Sequence, residues 1–178
     1  SILPTGKISA SESIQYSSAD SVDIKVPGVG AHGASPHMGR DPVYIASQIV
    51  TAMQSIVSRE IEPLSPAVIT VGAFHSGTKH NIISDRADLQ LTVRANDEAT
   101  RAQLLAAIQR VAVNIGKAHG LPDATPVEVA VSEGTPVTNN DPALAQRLNA
   151  VMQRDLGEDV LVPWQQRGMG AEDFAYLV

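Results

Sequence analysis

Asp88-Leu89-Gln90-Leu91-Thr92-Val93-Arg94 alternates polar and apolar side chains without a break. A period of two marks a strand with one buried and one wetter face. The same polarity recurs where Val22, Ile24 and Val26 alternate with Asp23 and Lys25, and where Val127, Val129 and Val131 alternate with Glu128, Ala130 and Ser132. A fourth stretch, Val68 to Phe74, is apolar on both faces. That suits an edge strand covered by a partner, and equally a strand covered within its own chain.

Two helical stripes separate these strands. From Asp41 to about Arg59, Ile45, Ile49, Met53 and Ile56 recur at helical spacing, with Asp41 as cap and Pro42 at the first position. From about Asp97 to His119 the stripe is Leu104, Ile108, Val111 and Ile115, and Gly120 can close the helix. The order is strand, helix, strand, strand, helix, strand. Three strands have a polar outer face, so both helices must cover the same apolar side. The expected class is α+β: a ferredoxin-like βαββαβ sandwich, a four-stranded antiparallel sheet with two helices on one face. After Glu133, Gly134 to Asn140 reads as a linker and Asp141-Pro142 starts a third helix with Leu144, Leu148 and Val151 on its apolar side, closed by Gly157. Val160 to Val162 suits a short strand. These last residues form a C-terminal helical appendage too small to be a domain alone.

Composition excludes several function classes. The chain has 178 residues, 43% of them hydrophobic, enough for one domain with a core. A net charge of −6 and 3% aromatics argue against nucleic acid or an anionic membrane as the main partner. There are no cysteines, so no disulfide or thiolate metal site forms. No apolar run reaches the roughly 18 residues a membrane helix needs. The start lacks methionine and a signal-peptide pattern, and Ala171 to Val178 reads as the beginning of an element. The expectation is a fragment of a longer chain, with the cytoplasm as its compartment because no targeting signal is seen.

Chemistry concentrates in Gly30-Ala31-His32-Gly33-Ala34-Ser35-Pro36-His37-Met38-Gly39-Arg40-Asp41-Pro42, a glycine-rich loop running into a strong helix start. His32 and His37 are five apart, a spacing that helical metal pairs do not use. Either His32 is a turn histidine bonded to its neighbours, or it offers an imidazole to a substrate oxyanion. His75 to Asn81 is a donor-rich connection, with Asn81 pinned before Ile82-Ile83; a solvated hairpin loop is the alternative. Arg94 ends its strand on the polar face, where a guanidinium can clamp a carboxylate or pair with Asp97 or Glu98. Glu172-Asp173, an adjacent acidic pair near the end of the tail, suits either proton or metal work or a helix N-terminus.

Several segments together resemble one family: Leu3-Pro4-Thr5-Gly6-Lys7, the loop from Gly30 to Pro42, Gln48 to Arg59, Val71-Gly72 with Gly77-Thr78, Asn81-Ile82-Ile83-Ser84-Asp85, Leu91-Thr92-Val93-Arg94, and Met169-Gly170-Ala171-Glu172-Asp173-Phe174. The pattern is similar to that of the metal-dependent amidohydrolases that include hippurate hydrolase, aminoacylase, plant auxin-conjugate hydrolases and related carboxypeptidases. It covers nearly the whole chain. Members usually have proline where this chain has Ser84, a departure that touches loop stiffness more than chemistry.

The resemblance implies a two-metal hydrolase of N-acyl amino acids or small peptides, with zinc or manganese as the divalent pair. In it a ferredoxin-like lid, here residues 20–133, also mediates homodimerisation. Residues 1–19 then read as a connector and residues 134–178 as the start of a returning catalytic segment. It places His32 at the lid histidine that stabilises the tetrahedral intermediate in the partner subunit's active site. Asn81 stands at the lid asparagine that holds substrate and Arg94 at a residue binding its free carboxylate. His37 and Glu172 complete the expected substrate-binding set. The family's metal ligands fall outside this sequence, so no residue here is expected to bind metal and the fragment alone is expected to be inactive. The alternatives are a non-catalytic dimerisation module and a small-molecule-binding ferredoxin-like module.

Overall fold

The computed structural model describes residues 3–177. Four strands form its main sheet: β2 (Ala19–Pro27), β4 (Ala67–Ser76), β6 (Arg86–Ala95) and β7 (Glu128–Thr135). Their spatial order is β4-β6-β2-β7 and every pairing is antiparallel. Helices α1 (Pro42–Ser55) and α2 (Glu98–Ala118) provide the crossovers. This is the ferredoxin-like arrangement expected from the alternation.

The buried phase of each inner strand makes the core. Val22, Ile24 and Val26 of β2 lie beside Leu89, Leu91 and Val93 of β6, beneath Ile45, Ile49 and Met53 of α1 and Leu104 and Ile108 of α2. Each such side chain, fully buried, contributes about 1.5–3 kcal/mol. The opposite phase stays wet: Gln90 reaches Asp23 across the open sheet face at 3.4 Å. In the outer strand β7, Val131 is 50% exposed rather than buried, because the helices cover the inner strands more fully than this edge.

Local chemistry sets the helix ends. Asp41 accepts from the backbone N–H groups of Val43 and Tyr44 at the start of α1. Where a plain α-helix was expected to run to Arg59, the chain widens into a π-turn over Ile56–Glu60, closed by Ile61 N donating to Ile56 O. That wider turn buries both Ile56 and Ile61. Gly120, with φ +77°, follows α2 in the left-handed conformation that glycine tolerates. Asp97 caps α2, accepting from the Thr100 N–H and hydroxyl at 2.7 Å each. These bonds hold its carboxyl below the ordinary carboxylate range. Asp97→Ala should therefore cost about 1 kcal/mol at neutral pH, read as a lower urea midpoint. Because the folded-state value is depressed, the wild-type advantage is present above the ordinary Asp value and is lost as pH falls through the folded one. An equal difference between the two proteins at neutral and strongly acidic pH would contradict this assignment.

The flanking segments meet each other. Strand β1 (Ile14–Tyr16) pairs with β8 (Thr138–Asn139), and Ile8 bridges Leu161 in parallel. Lys7 binds Asp159 at 2.7 Å. The strand expected at Val160–Val162 reduces to that single bridge, since only Ile8 offers it backbone partners. Helix α3 (Pro142–Leu156) follows, capped by Asp141. Its stripe is only half covered, with Leu144, Leu148 and Val151 each more than 40% exposed.

Candidate functional site

The loop from Gly30 to Gly39 is clamped at its base. Val29 and Arg40 exchange two backbone hydrogen bonds of 2.9 Å, and Gly28 N donates to Asp85 O at 2.7 Å. At Gly39 a Cβ would lie 2.6 Å from the Val29 carbonyl, so only glycine lets the two arms meet. Within the loop, β3 (Ala31–His32) pairs antiparallel with β5 (Ile82–Ile83), setting His32 opposite Ile82. Gly33 N then donates to Asn81 O at 2.8 Å, and a Cβ at Gly33 would crowd that carbonyl at 3.1 Å. The loop that carries His32 and the loop that carries Asn81 are thus one joined unit.

The His32 ring is exposed and held by its own turn. Its Nδ1 accepts from the Ala34 N–H at 3.0 Å, while its carbonyl accepts from Ser35 N at 2.8 Å. Asn81 is exposed, and its side chain makes no hydrogen bond among the described residues. His37 sits on a 3₁₀ turn, Pro36–Met38, and faces solvent farther out on the same loop. An open groove of about 470 Å³ runs beside the unit, lined by Gly33, Thr78, Lys79, His80 and Ile83 among others. Thr78, Lys79 and His80 therefore give the groove a donor-rich edge beside the joined loops.

Arg94 and Glu172 lie elsewhere. Arg94 is near the far end of β6 from Asp85, eight residue steps along the strand from Arg86, roughly 27 Å at ~3.4 Å per residue. Its Nη1 donates to the Met169 carbonyl at 2.6 Å, not to Asp97 or Glu98. Those two acids are engaged otherwise, Asp97 as the α2 cap and Glu98 with Arg101. Glu172, three residues beyond Met169, is the exposed N-cap of a 3₁₀ turn over Asp173–Tyr176. The chain therefore groups His32, His37 and Asn81 at one end of the sheet and Arg94 with Glu172 at the other. Among the described residues no three of His, Asp or Glu lie together in a way that could hold a metal ion. A metal pair of the kind the resemblance implies does not fit these residues.

The sequence reading missed the polar root of the sandwich. Asp20 is fully buried and receives two bonds from Arg101, at 2.9 and 2.7 Å. Those bonds come first among the causes that raise the Arg101 guanidinium above its already high ordinary value. The signal was present, since Asp20 continues the buried phase of Val22, Ile24 and Val26. Nearby, Ser17, Asn96 and Gln166 form a closed triangle of side-chain bonds between 2.6 and 3.2 Å. Ser17 N also donates to the Gly170 carbonyl at 2.9 Å. This network ties the loop holding Met169 to the base of the sheet.

Comparison with known proteins gives these features a context. Residues 17–120 match a family model described as "Peptidase dimerisation domain". Hippurate hydrolase of Campylobacter jejuni is 34% identical over 162 residues, covering 90% of this chain and 41% of that protein. N-acetyldiaminopimelate deacetylase of Leuconostoc citreum is 30% identical over 178 residues, covering 99% and 44%. The crystal structure of the Bacillus subtilis YXEP protein, described as a dinuclear metal binding peptidase from the M20 family, superposes with a TM-score of 0.75 at 25% identity, covering 99% of this chain and 42% of that one. The chain thus spans less than half the length of these relatives.

Proposed function

The chain belongs to the peptidase dimerisation domain family, and from that premise we propose that it is the lid and dimerisation module of an enzyme hydrolysing amide bonds of N-acyl amino acids or small peptides. The observation that carries this reading is the separation of the candidate residues. His32 and Asn81 are exposed at one end of the sheet, while Arg94 stands near the other, roughly 27 Å along β6 from Arg86. No small substrate touches both within one protomer. In a twofold dimer, His32 and Asn81 of one protomer meet a substrate whose carboxylate lies on the Arg94 of the other.

On this reading His32 donates a hydrogen bond to the oxyanion of the tetrahedral intermediate, and Asn81 orients the substrate beside it. Met169 uses one guanidinium nitrogen of Arg94, leaving Nε and Nη2 for the substrate carboxylate. His37 and Glu172 border the two halves of that site. A pair of divalent metal ions, zinc or manganese, would be held by residues of the enzyme other than the described ones, and would supply water activation when bound.

The proposed contact between protomers uses the edge of β4 and the adjoining end of α1. A groove of about 320 Å³ opens there between Met53 and Val57 on one side and Ala67 and Ile69 on the other. The exposed backbone of this edge offers unpaired ladder groups to a second copy. Sedimentation velocity should show a dimer. Val68→Lys, on the face of β4 away from the core, should weaken it at least tenfold, because the interface would then desolvate an unpaired ammonium. A monomer at every accessible concentration, or an unaltered dimer in the variant, would remove this edge from the interface.

A further inference from the structure

We propose that the backbone N–H of Ala34 holds the His32 imidazole as its Nε2–H tautomer, so that the outward ring nitrogen is a hydrogen-bond donor and neither a base nor a metal ligand. The inference rests on reading His32 as a substrate contact, and it assigns that contact its chemistry. A backbone amide only donates. The ring atom 3.0 Å from Ala34 N is Nδ1, which must present its lone pair. In a neutral imidazole the single ring proton then resides on Nε2.

The amide that imposes this is itself fixed. Ser35 N closes a turn onto the His32 carbonyl at 2.8 Å, with Gly33 and Ala34 as the central residues. Gly33 N is bound to Asn81 O, and the β3–β5 pairing sets the entry to the turn. These three backbone constraints therefore aim one N–H at one ring nitrogen. The Nε2 atom has no partner among the described residues, and the residue is exposed. A lone pair on Nε2 would be required of a base or of a metal ligand pointing outward. The Ala34 bond places a proton there instead. The ring also loses freedom to rotate about χ2, because turning it breaks the bond. Both effects favour a donor aimed at an acceptor oxygen, which is what a developing oxyanion requires.

His37 and His80 supply internal standards, since both are exposed and their rings make no hydrogen bond among the described residues. The test is long-range ¹H–¹⁵N correlation of the uniformly labelled chain, about two pH units above the ordinary imidazole value. The His32 Nδ1 is expected at the limiting shift of an unprotonated nitrogen and Nε2 at that of a protonated one. His37 and His80 should show the averaged shifts of exchanging tautomers. In Ala34→Pro, which has no N–H, His32 should move to the averaged values. If that variant does not fold, replacing the Ala34 amide by an ester removes the same donor without altering the side chain. His32 shifts matching those of His37 in the unaltered chain, or a protonated Nδ1, would overturn the proposal. This readout is independent of turnover. Undiminished activity in a His32 variant would remove the substrate contact yet leave the tautomer assignment standing.

Discussion

His32→Ala in an intact enzyme carrying this chain is expected to lower kcat about 10²- to 10³-fold, the loss that follows removal of one oxyanion donor. KM should move much less, because the lost bond strengthens only as charge develops on the reacting oxygen. Metal content and dimerisation should be unchanged, since His32 contacts neither the core nor the β4 edge. Steady-state kinetics with metal analysis and sedimentation on the same preparation would check all three. The geometry adds a sharper form of the experiment. His32 and Arg94 sit at opposite ends of one sheet, and in the proposed dimer a working site would combine them from different protomers. Mixing His32→Ala protein with Arg94→Ala protein should then create hybrid dimers in which one site has lost both groups and the other is wild type. Activity should rise above that of either parent on mixing. If the two residues served the same site in one chain, no combination would restore a complete centre, and mixing would gain nothing.

Arg101→Met carries the second large expectation, this time on stability. The Asp20 carboxylate is fully buried and takes both of its strongest bonds from Arg101, whose side chain is 20% exposed. Removing the guanidinium leaves a buried charge without its partner, a change that costs about 3–5 kcal/mol. A domain of this size has roughly 5–15 kcal/mol in total, so the variant should lose much of its urea resistance. The pair need not be a net source of stability. Asp20→Leu combined with Arg101→Met removes both desolvation costs, and should lie far closer to the wild type than the single variant does. Gly134 limits what can replace them. A Cβ there would meet Asp20 Oδ1 at 2.6 Å and Arg101 Nη2 at 2.8 Å, so the pair and this glycine are packed as one group. Similar midpoints for the single and double variants would show that the bond, rather than the orphaned charge, sets the cost.

The parts of the structure that were legible are those whose signals repeat. Leu89, Leu91 and Val93 are legible as a strand because period two persists for the whole of β6, and Ile45, Ile49 and Met53 mark α1 because the stripe recurs over several turns. Two-residue pairings such as Ala31–His32 with Ile82–Ile83 carry no such repetition. Their register comes from Gly33 meeting Asn81, a contact between loops nearly fifty residues apart. The π-turn after Ser55 was hidden for a related reason, as it depends on how Ile56 and Ile61 reach the core. In the candidate site, the glycine loop marked the place where chemistry was to be sought, but spacing could not tell a packed turn histidine from an exposed one. His32 turns out to be both bonded within its turn and exposed. Arg94 was legible as a cation on the polar face. Its partner was not, because Met169 lies 75 residues further on and reaches it only when the tail folds back.

The pairing of β1 with β8 has a consequence for how such a sandwich is acquired and exchanged. The path into the sheet and the path out of it run side by side, so their ends stand about one strand spacing apart, ~4.8 Å. A host backbone interrupted at that doorway keeps nearly the geometry of an uninterrupted turn. A short linker or another cassette can bridge that doorway, at the loss of the bonds by which Asn96 and Arg94 hold Gln166 and Met169.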